Sequence, residues 1–517
     1  MDNLSTRRRT RRTPHHENGT PPKPVWMGIK GGNYKPLSDH AIEQIHHTAL
    51  EVLEKIGIAN SIPELLEVVE GKGCVLGEDG RLKFPRALIE EVIAHATKEI
   101  HYYAPNPNND ITLTPDKLVF STSGEAVTIL DYHTRTYRPS SLVDLYDAAR
   151  LVDQLEHIHT FGQPFIASEF SEDLFTHNIN IAYAELAGTE KPFHLGMGVA
   201  AHIEPIIRLF DIFAGGEGKF LQRPFCSLGG CPIVSPLTFA EDSLQVMMAC
   251  ARLGITYDVA VASQAGATAP AALAGALVQT FAETLACRAV VYLINPRATM
   301  AFGMWPFISD LRSGSFTGGG PEQALVMAAT AQICNHYGII ASVASGMSDA
   351  NIPDSQAGSE KALTTLAAAL AGGNSVSSYP GSVGSLMGTS FEGMVIDNDM
   401  IGNVLRVVRG IEVNDETLSF EVIRDTVYGP GHFLGHPQTL SLMKTEFLYP
   451  SLSDRRDTTS WEQDGSPTIY MQAHERVKEL LRGHYPEYIP RVVDRKMREQ
   501  FDIRLKPDEM RKGNGRW

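Results

Sequence analysis

Between Asn295 and Gly320 the chain reads NPRATMAFGMWPFISDLRSGSFTGGG, which sets Met300, Phe302, Met304, Trp305, Pro306 and Phe307 beside Asp310 and Arg312. An aromatic face attracts a quaternary ammonium by roughly 0.5–2 kcal/mol per good contact. Phe302 and Trp305 could therefore cage an apolar cation, while Arg312 could grip a carboxylate through two hydrogen bonds. The plainer alternative is a lid that packs a small core of its own. Elsewhere the usual chemical signatures are missing. The GGG at 318–320 ends a loop without the acidic residue that a dinucleotide fold places on its next strand, and no Walker A, HExxH or GxSxG pattern occurs. Nicotinamide, nucleoside triphosphate and hydrolase chemistries lose their sequence support. His432 and His436 are four apart, but Gly431, Gly435 and Pro437 surround them, so a structural turn is expected rather than a helical metal pair. Cys226 and Cys231 sit on an apolar strand and its turn, where buried thiols are the default. No metal site is expected.

The elements that must position such residues follow a regular rhythm. Short apolar, β-branched runs begin near Leu118, Ile158, Pro192, Phe225, Tyr257, Ala289, Ile339 and Asn374. Single helical stretches separate them at 140–155, 173–187, 203–214, 238–253, 270–287, 321–337 and 354–372. Eight strands with one crossover helix each predict an α/β fold, a (β/α)8 TIM barrel. A doubly wound sheet shares the alternation but rarely reaches eight such units. In a barrel, functional side chains come from the C-terminal ends of strands and the loops after them. That rule selects Glu125, Gln163 with Glu169, His194, the two cysteines, Gln264, Trp305 with Arg312, Asp349 with Gln356, and Tyr379. The loop after the sixth run is far longer than the usual two to six residues, as functional loops tend to be. Around the barrel at 116–410, the sequence divides into a tail at 1–35, an N-terminal α/β cap region at 36–115 and a mainly helical extension at 411–517. The cap is expected to hold helices at 38–57 and 62–71, a small hairpin at 73–85 and a helix from Pro85.

The 517 residues carry 45 Lys and Arg against 60 Asp and Glu, a net charge of −15. The tail holds a cluster of arginines, so the rest is more acidic still, which disfavours nucleic acid as a partner. No run of about 18 uninterrupted apolar residues occurs, so no membrane span is expected. The arginines are followed by TPHHENGTPPKP rather than an apolar stretch, which reads as a disordered tail and not an export signal. Six widely spaced cysteines without a CxxC pair fit reduced thiols in a cytoplasmic protein.

The segments MAFGMWPFISDLRSGSFTGGGPEQAL, AQICNHYG, DSQAGSEKALTTLAAALAGGN and GPGHFLGHPQTL resemble those of the trimethylamine methyltransferase family. The resemblance runs from about 35 to 500 and rests on several separate motifs. It implies a TIM barrel that moves a methyl group from an amine to the Co(I) of a corrinoid carried on a separate small protein. Archaeal members carry pyrrolysine in the region after the seventh strand, where this chain has the standard residues SGMSDANIPDSQAG. The departure argues against trimethylamine and toward the branch associated with glycine betaine, proline betaine and carnitine.

A quaternary amine leaves as a neutral tertiary amine, so no proton need be supplied. Co(I) is itself a strong nucleophile, and the protein's task is orientation. A site without an acid–base dyad is then expected. Trp305, Phe302 and Tyr379 are assigned to a cation cage, and Arg312 and His194 to a substrate carboxylate. Glu125, Gln163, Gln264, Asp349 and Gln356 are polar candidates at the mouth with roles not separable from sequence. The rivals are a noncatalytic betaine-binding protein and a barrel enzyme of another class, although no Schiff-base Lys or three-Cys cluster supports the latter. A homo-oligomer is expected from the apolar exterior.

Overall fold

The computed structural model describes residues 23, 25–170 and 172–517, so the arginine cluster of the tail lies outside it. Eight parallel strands form its centre: β1 Val119–Ser121, β2 Phe161–Gly162, β3 Phe193–Gly196, β4 Cys226–Gly230, β5 Tyr257–Val261, β6 Met300–Met304, β7 Ala341–Ala344 and β8 Ser375–Ser377. Each pairs in parallel with its sequence neighbours from β2 to β8, and β8 returns to β1 with Ser375 opposite Val119. The ring closes between β1 and β2, where the His159 amide donates to the Phe120 carbonyl at 2.8 Å and Ser121 bridges to Thr160. The structure is thus a TIM barrel.

One helix follows each strand: α1 Leu142–Asp153, α2 Leu174–Gly188, α3 Ile203–Ala214, α4 Glu241–Leu253, α5 Leu273–Ile294, α6 Pro321–His336, α7 Ser355–Ala371 and α8 Phe391–Arg409. Their ends follow from local chemistry. Ser141 and Asp144 form a reciprocal capping box at the start of α1. Asp354 accepts from the Gln356 and Ala357 amides to start α7. Gly254, with φ +74°, ends α4 in the left-handed conformation that glycine adopts without penalty.

The sixth strand corrects the sequence expectation. Ala289 lies inside α5, and the strand begins at Met300, within the segment expected to be loop. The reason is burial. α5 is apolar all round and mostly enclosed by the chain, so its AVVYLI end carries no helical stripe and reads like a buried strand. It stops at Ile294 because Pro296 pushes Asn295 out of the helical region, to φ −151° and ψ 104°. α5 is also the one described helix long and apolar enough to cross a membrane, and 72% of its most apolar stretch is buried.

The N-terminal helices Asp39–Glu51, Pro63–Val69 and Arg86–Ala94 pack on α5. The antiparallel pair Ile100–Tyr102 and Ile111–Leu113 closes the bottom of the barrel, clustering with Val119, Ala301 and Ile340. From the C-terminal part, Ile469–Gly483 packs on α8 and α1, and Arg491–Gln500 packs on α3. Arg150, fully buried on α1, donates to the Leu481 and His484 carbonyls at 2.6 Å. Gly410–Tyr449 belongs to a second, smaller unit with helices Phe420–Val427 and Pro437–Leu442. There the His436 ring accepts from the Gln438 amide and caps the shorter helix.

Candidate active site

A cavity of about 250 Å³ runs from the C-terminal mouth down the barrel axis. TIM barrels usually fill this space with layers of branched side chains. Here the inward positions include Ser121, Ser227, Gly229, Ala260, Ser342 and Ser377, which are too small to meet in the middle. Strand alternation decides which residues face in. On β5 it turns Asp258 and Ala260 inward while Tyr257, Val259 and Val261 are buried, and on β6 it turns Phe302 away.

Aromatic rings form one side of the mouth. Trp305 directly follows β6; its indole N–H donates to the Ser342 carbonyl at 3.1 Å, which fixes the ring. Tyr379, two residues past β8, meets it edge-on with centroids 6.4 Å apart, and Phe307 lies 6.3 Å from the indole. The Tyr379 hydroxyl bonds with Ser123, and its backbone carbonyl accepts from Lys361 Nζ at 3.1 Å. Tyr379 and Glu125 hold φ of +43° and +48°, conformations that side-chain-bearing residues adopt rarely and that cluster at functional sites.

Carboxylates form the other side and the depth. Glu125 opens onto the cavity yet is ringed by protein; burial raises its pKa, opposed by His194 and His177. Its Oε1 lies where a Cβ at Gly196 would stand, 1.9 Å away, so only glycine fits at that position. The His194 ring occupies the equivalent space beside Gly162. Lower down, Asp258 accepts from Ser227 Oγ at 2.6 Å and from the Tyr102 hydroxyl at 2.9 Å, the latter reaching up from the bottom closure. Burial raises the Asp258 pKa, against the influence of His194 and these two hydroxyls. Cys226 is buried as expected, but Cys231 is exposed on the cavity wall rather than buried; the protein packed around it pushes its thiol up to about 11, so it is protonated at neutral pH. The described lining holds no Lys or Arg. Among the described residues no three His, Cys, Asp or Glu side chains gather to hold a metal.

Of the residues expected from sequence, the cavity brings together Glu125, His194, Cys231, Trp305 and Tyr379. The others stand elsewhere. Arg312 is 92% exposed and is paired at both ends with Asp310 in a local turn. Phe302 packs outward against Phe281 of α5. Asp349 accepts from Gly318 and Ser385 and also bonds Thr317, tying three mouth loops together. Gln163 is buried behind Glu125, whose amide its carbonyl accepts at 3.1 Å. Gln264 opens a tight turn, Gln356 is exposed beside Glu360, and Glu169 accepts from the Leu142 amide at the start of α1. Tyr102, Ser227 and Asp258 were not expected. Asp258 carried a readable signal, a lone carboxylate in the apolar run YDVAV.

A barrel with an aromatic rim above an acidic, lysine- and arginine-free bore is suited to a small organic cation. The chain belongs to the family described as trimethylamine methyltransferase, whose model matches residues 5–508, and it is an enzyme that transfers methyl groups. A glycine betaine methyltransferase of Desulfitobacterium hafniense (strain Y51) is 29% identical over 472 residues, covering 91% of this chain and 97% of that one. A trimethylamine methyltransferase of Methanosarcina thermophila is 31% identical over 465 residues, covering 88% and 94%. A solved monomethylamine methyltransferase of Methanosarcina barkeri aligns over 88% of this chain and 95% of its own, with 13% identity and a TM-score of 0.44.

Proposed function

We propose that this chain transfers a methyl group from a quaternary amine to the Co(I) corrinoid of a separate partner protein. Glycine betaine, proline betaine and carnitine-like amines are the donors that the sequence resemblance implies. The observation that carries the reading is the pairing of Trp305 and Tyr379 at the mouth with Glu125 and Asp258, with no Lys or Arg among the described lining residues. Aromatic faces and carboxylates both attract a fixed positive charge, and neither can neutralise it by taking a proton.

The dimensions support a division of labour. A cavity of about 250 Å³ admits a small amine but not a corrin ring, so the corrinoid meets the methyl group at the mouth from outside. The corrinoid supplies the nucleophile. The chain seats the ammonium, points one N–CH₃ outward and excludes water behind it, and alignment of this kind contributes up to roughly 7–11 kcal/mol. The amine departs neutral, which accounts for a mouth without a nucleophile–base pair. A cytoplasmic, reducing setting suits both Co(I) and the six free cysteines.

The test mixes the chain with a reduced corrinoid protein and a panel of quaternary amines, following the Co(I) absorbance. Loss of that absorbance with at least one amine, dependent on the chain, is expected. Persistence of Co(I) with every amine would overturn the proposal.

A further inference from the structure

The cavity continues well below the aromatic rim, and its lower half is built from side chains that the methyl group itself never touches. If the reacting methyl faces the mouth, as the proposed function requires, the rest of the amine must point down the bore toward Asp258, Ser227 and Tyr102. What those groups accept decides which amine fits.

Asp258 already accepts from two hydroxyls, Ser227 Oγ at 2.6 Å and Tyr102 at 2.9 Å. A carboxylate offers about four lone-pair positions, so acceptor capacity remains for a third donor. A hydroxyl on the amine can fill it. A carboxylate has no hydrogen to give and would be set against Asp258 and Glu125 in a lining without Lys or Arg. The residue expected to neutralise such a carboxylate, Arg312, stands in solvent on Asp310. Ser121, Ser342 and Ser377 supply hydrogen bonds but no countercharge. Among the described lining residues His194 is the one group able to carry positive charge, and even then one imidazolium faces two carboxylates. An ammonium in the mouth also favours the charged forms of Glu125 and Asp258, since an opposite charge nearby stabilises them.

We infer that the lower bore is a specificity subsite that narrows the quaternary-amine reading to donors bearing a hydroxyl and no carboxylate, against the carboxylate-bearing betaines and carnitine that the resemblance implies, with Asp258 accepting a hydrogen bond from the hydroxyl. The inference rests on the mouth being the ammonium seat.

Titration calorimetry on the full chain with choline, glycine betaine and tetramethylammonium tests it. Choline and glycine betaine differ only in CH₂OH against COO⁻. Choline is expected to bind about tenfold or more tighter than glycine betaine, and tighter than tetramethylammonium. Asp258→Asn should bring choline and glycine betaine within about threefold of each other, mainly by strengthening the betaine. Ser227→Ala, a smaller change at the same carboxylate, should shift the ratio in the same direction. Glycine betaine binding as tightly as choline, or choline no tighter than tetramethylammonium, would overturn the subsite while leaving the methyltransferase reading in place. No binding of any of the three would overturn the ammonium seat and the subsite with it.

Discussion

Two aspartates sit on opposite sides of the barrel wall, Asp397 buried and Asp258 half-buried where it faces the cavity. Asp397, on α8, accepts from Lys361 Nζ at 2.9 Å and from the Gly381 amide at 2.7 Å, and Lys361 also donates to the carbonyls of Gly346 and Tyr379. Asp258, in the bore, accepts from neutral hydroxyls among the described residues, with His194 rather than a fixed cation nearby. Burial raises both pKa values, but at Asp397 the opposing influence is the fixed charge of Lys361. A carboxylate that brings its own cation serves the scaffold, here by holding Tyr379 in its positive-φ conformation. A carboxylate left without a fixed cation stores attraction for a cation from outside. The contrast separates framework from site better than burial does.

The sharpest way to break the contrast is to remove the internal cation. Lys361→Met leaves Asp397 buried and unpaired, and urea denaturation should show a loss of about 3–5 kcal/mol. A loss below about 1 kcal/mol would place Lys361–Asp397 in the same class as exposed ion pairs. On the bore side, Trp305→Ala should lower kcat/KM for methyl transfer roughly 30-fold, equivalent to about 2 kcal/mol of ammonium stabilisation. Far-UV circular dichroism should be unchanged.

Glu185 extends the contrast to a carboxyl with no partner of either kind. It is fully buried on α2, neither oxygen finds a hydrogen bond among the described residues, and burial, with the Glu125 charge adding, raises its pKa well above the usual range. Stability from the protonated form is complete below the unfolded value of about 4.3 and is lost as pH rises toward the folded value. Glu185→Gln should therefore gain stability relative to the native chain as pH rises from 4 to 8, by on the order of 1 kcal/mol at the upper end. A gap that narrows with rising pH would refute the assignment. Smallest of all, Arg312→Ala should leave both the Tm and the transfer rate unchanged, because its one partner among the described residues is Asp310 in the same exposed turn. A marked loss of transfer would return Arg312 to the substrate.

The sequence made the architecture readable because alternating strands and helices leave periodic traces. Seven of the eight strand positions stand near where those traces put them, and the eighth was displaced by a helix too apolar to show its period. The site was readable where a side chain stands within a few residues of a strand end, as Glu125, Trp305 and Tyr379 do. It was misread where loops fold on themselves. Arg312 and Asp310 satisfy each other two residues apart, and Asp349 is consumed by the loop amides around it. Tyr102 was out of reach because it enters the bore from a hairpin 156 residues away from Asp258. Phe302 was misread because the segment expected to be loop is a strand, whose alternation turns the ring outward onto Phe281.

The most direct measurement is a crystal structure of the chain with a bound quaternary amine. The account predicts the ammonium nitrogen within about 6 Å of the Trp305 ring centroid, one methyl group facing the open mouth and the remaining substituent directed at Asp258. An amine bound outside the barrel axis, with the bore unfilled, would contradict it.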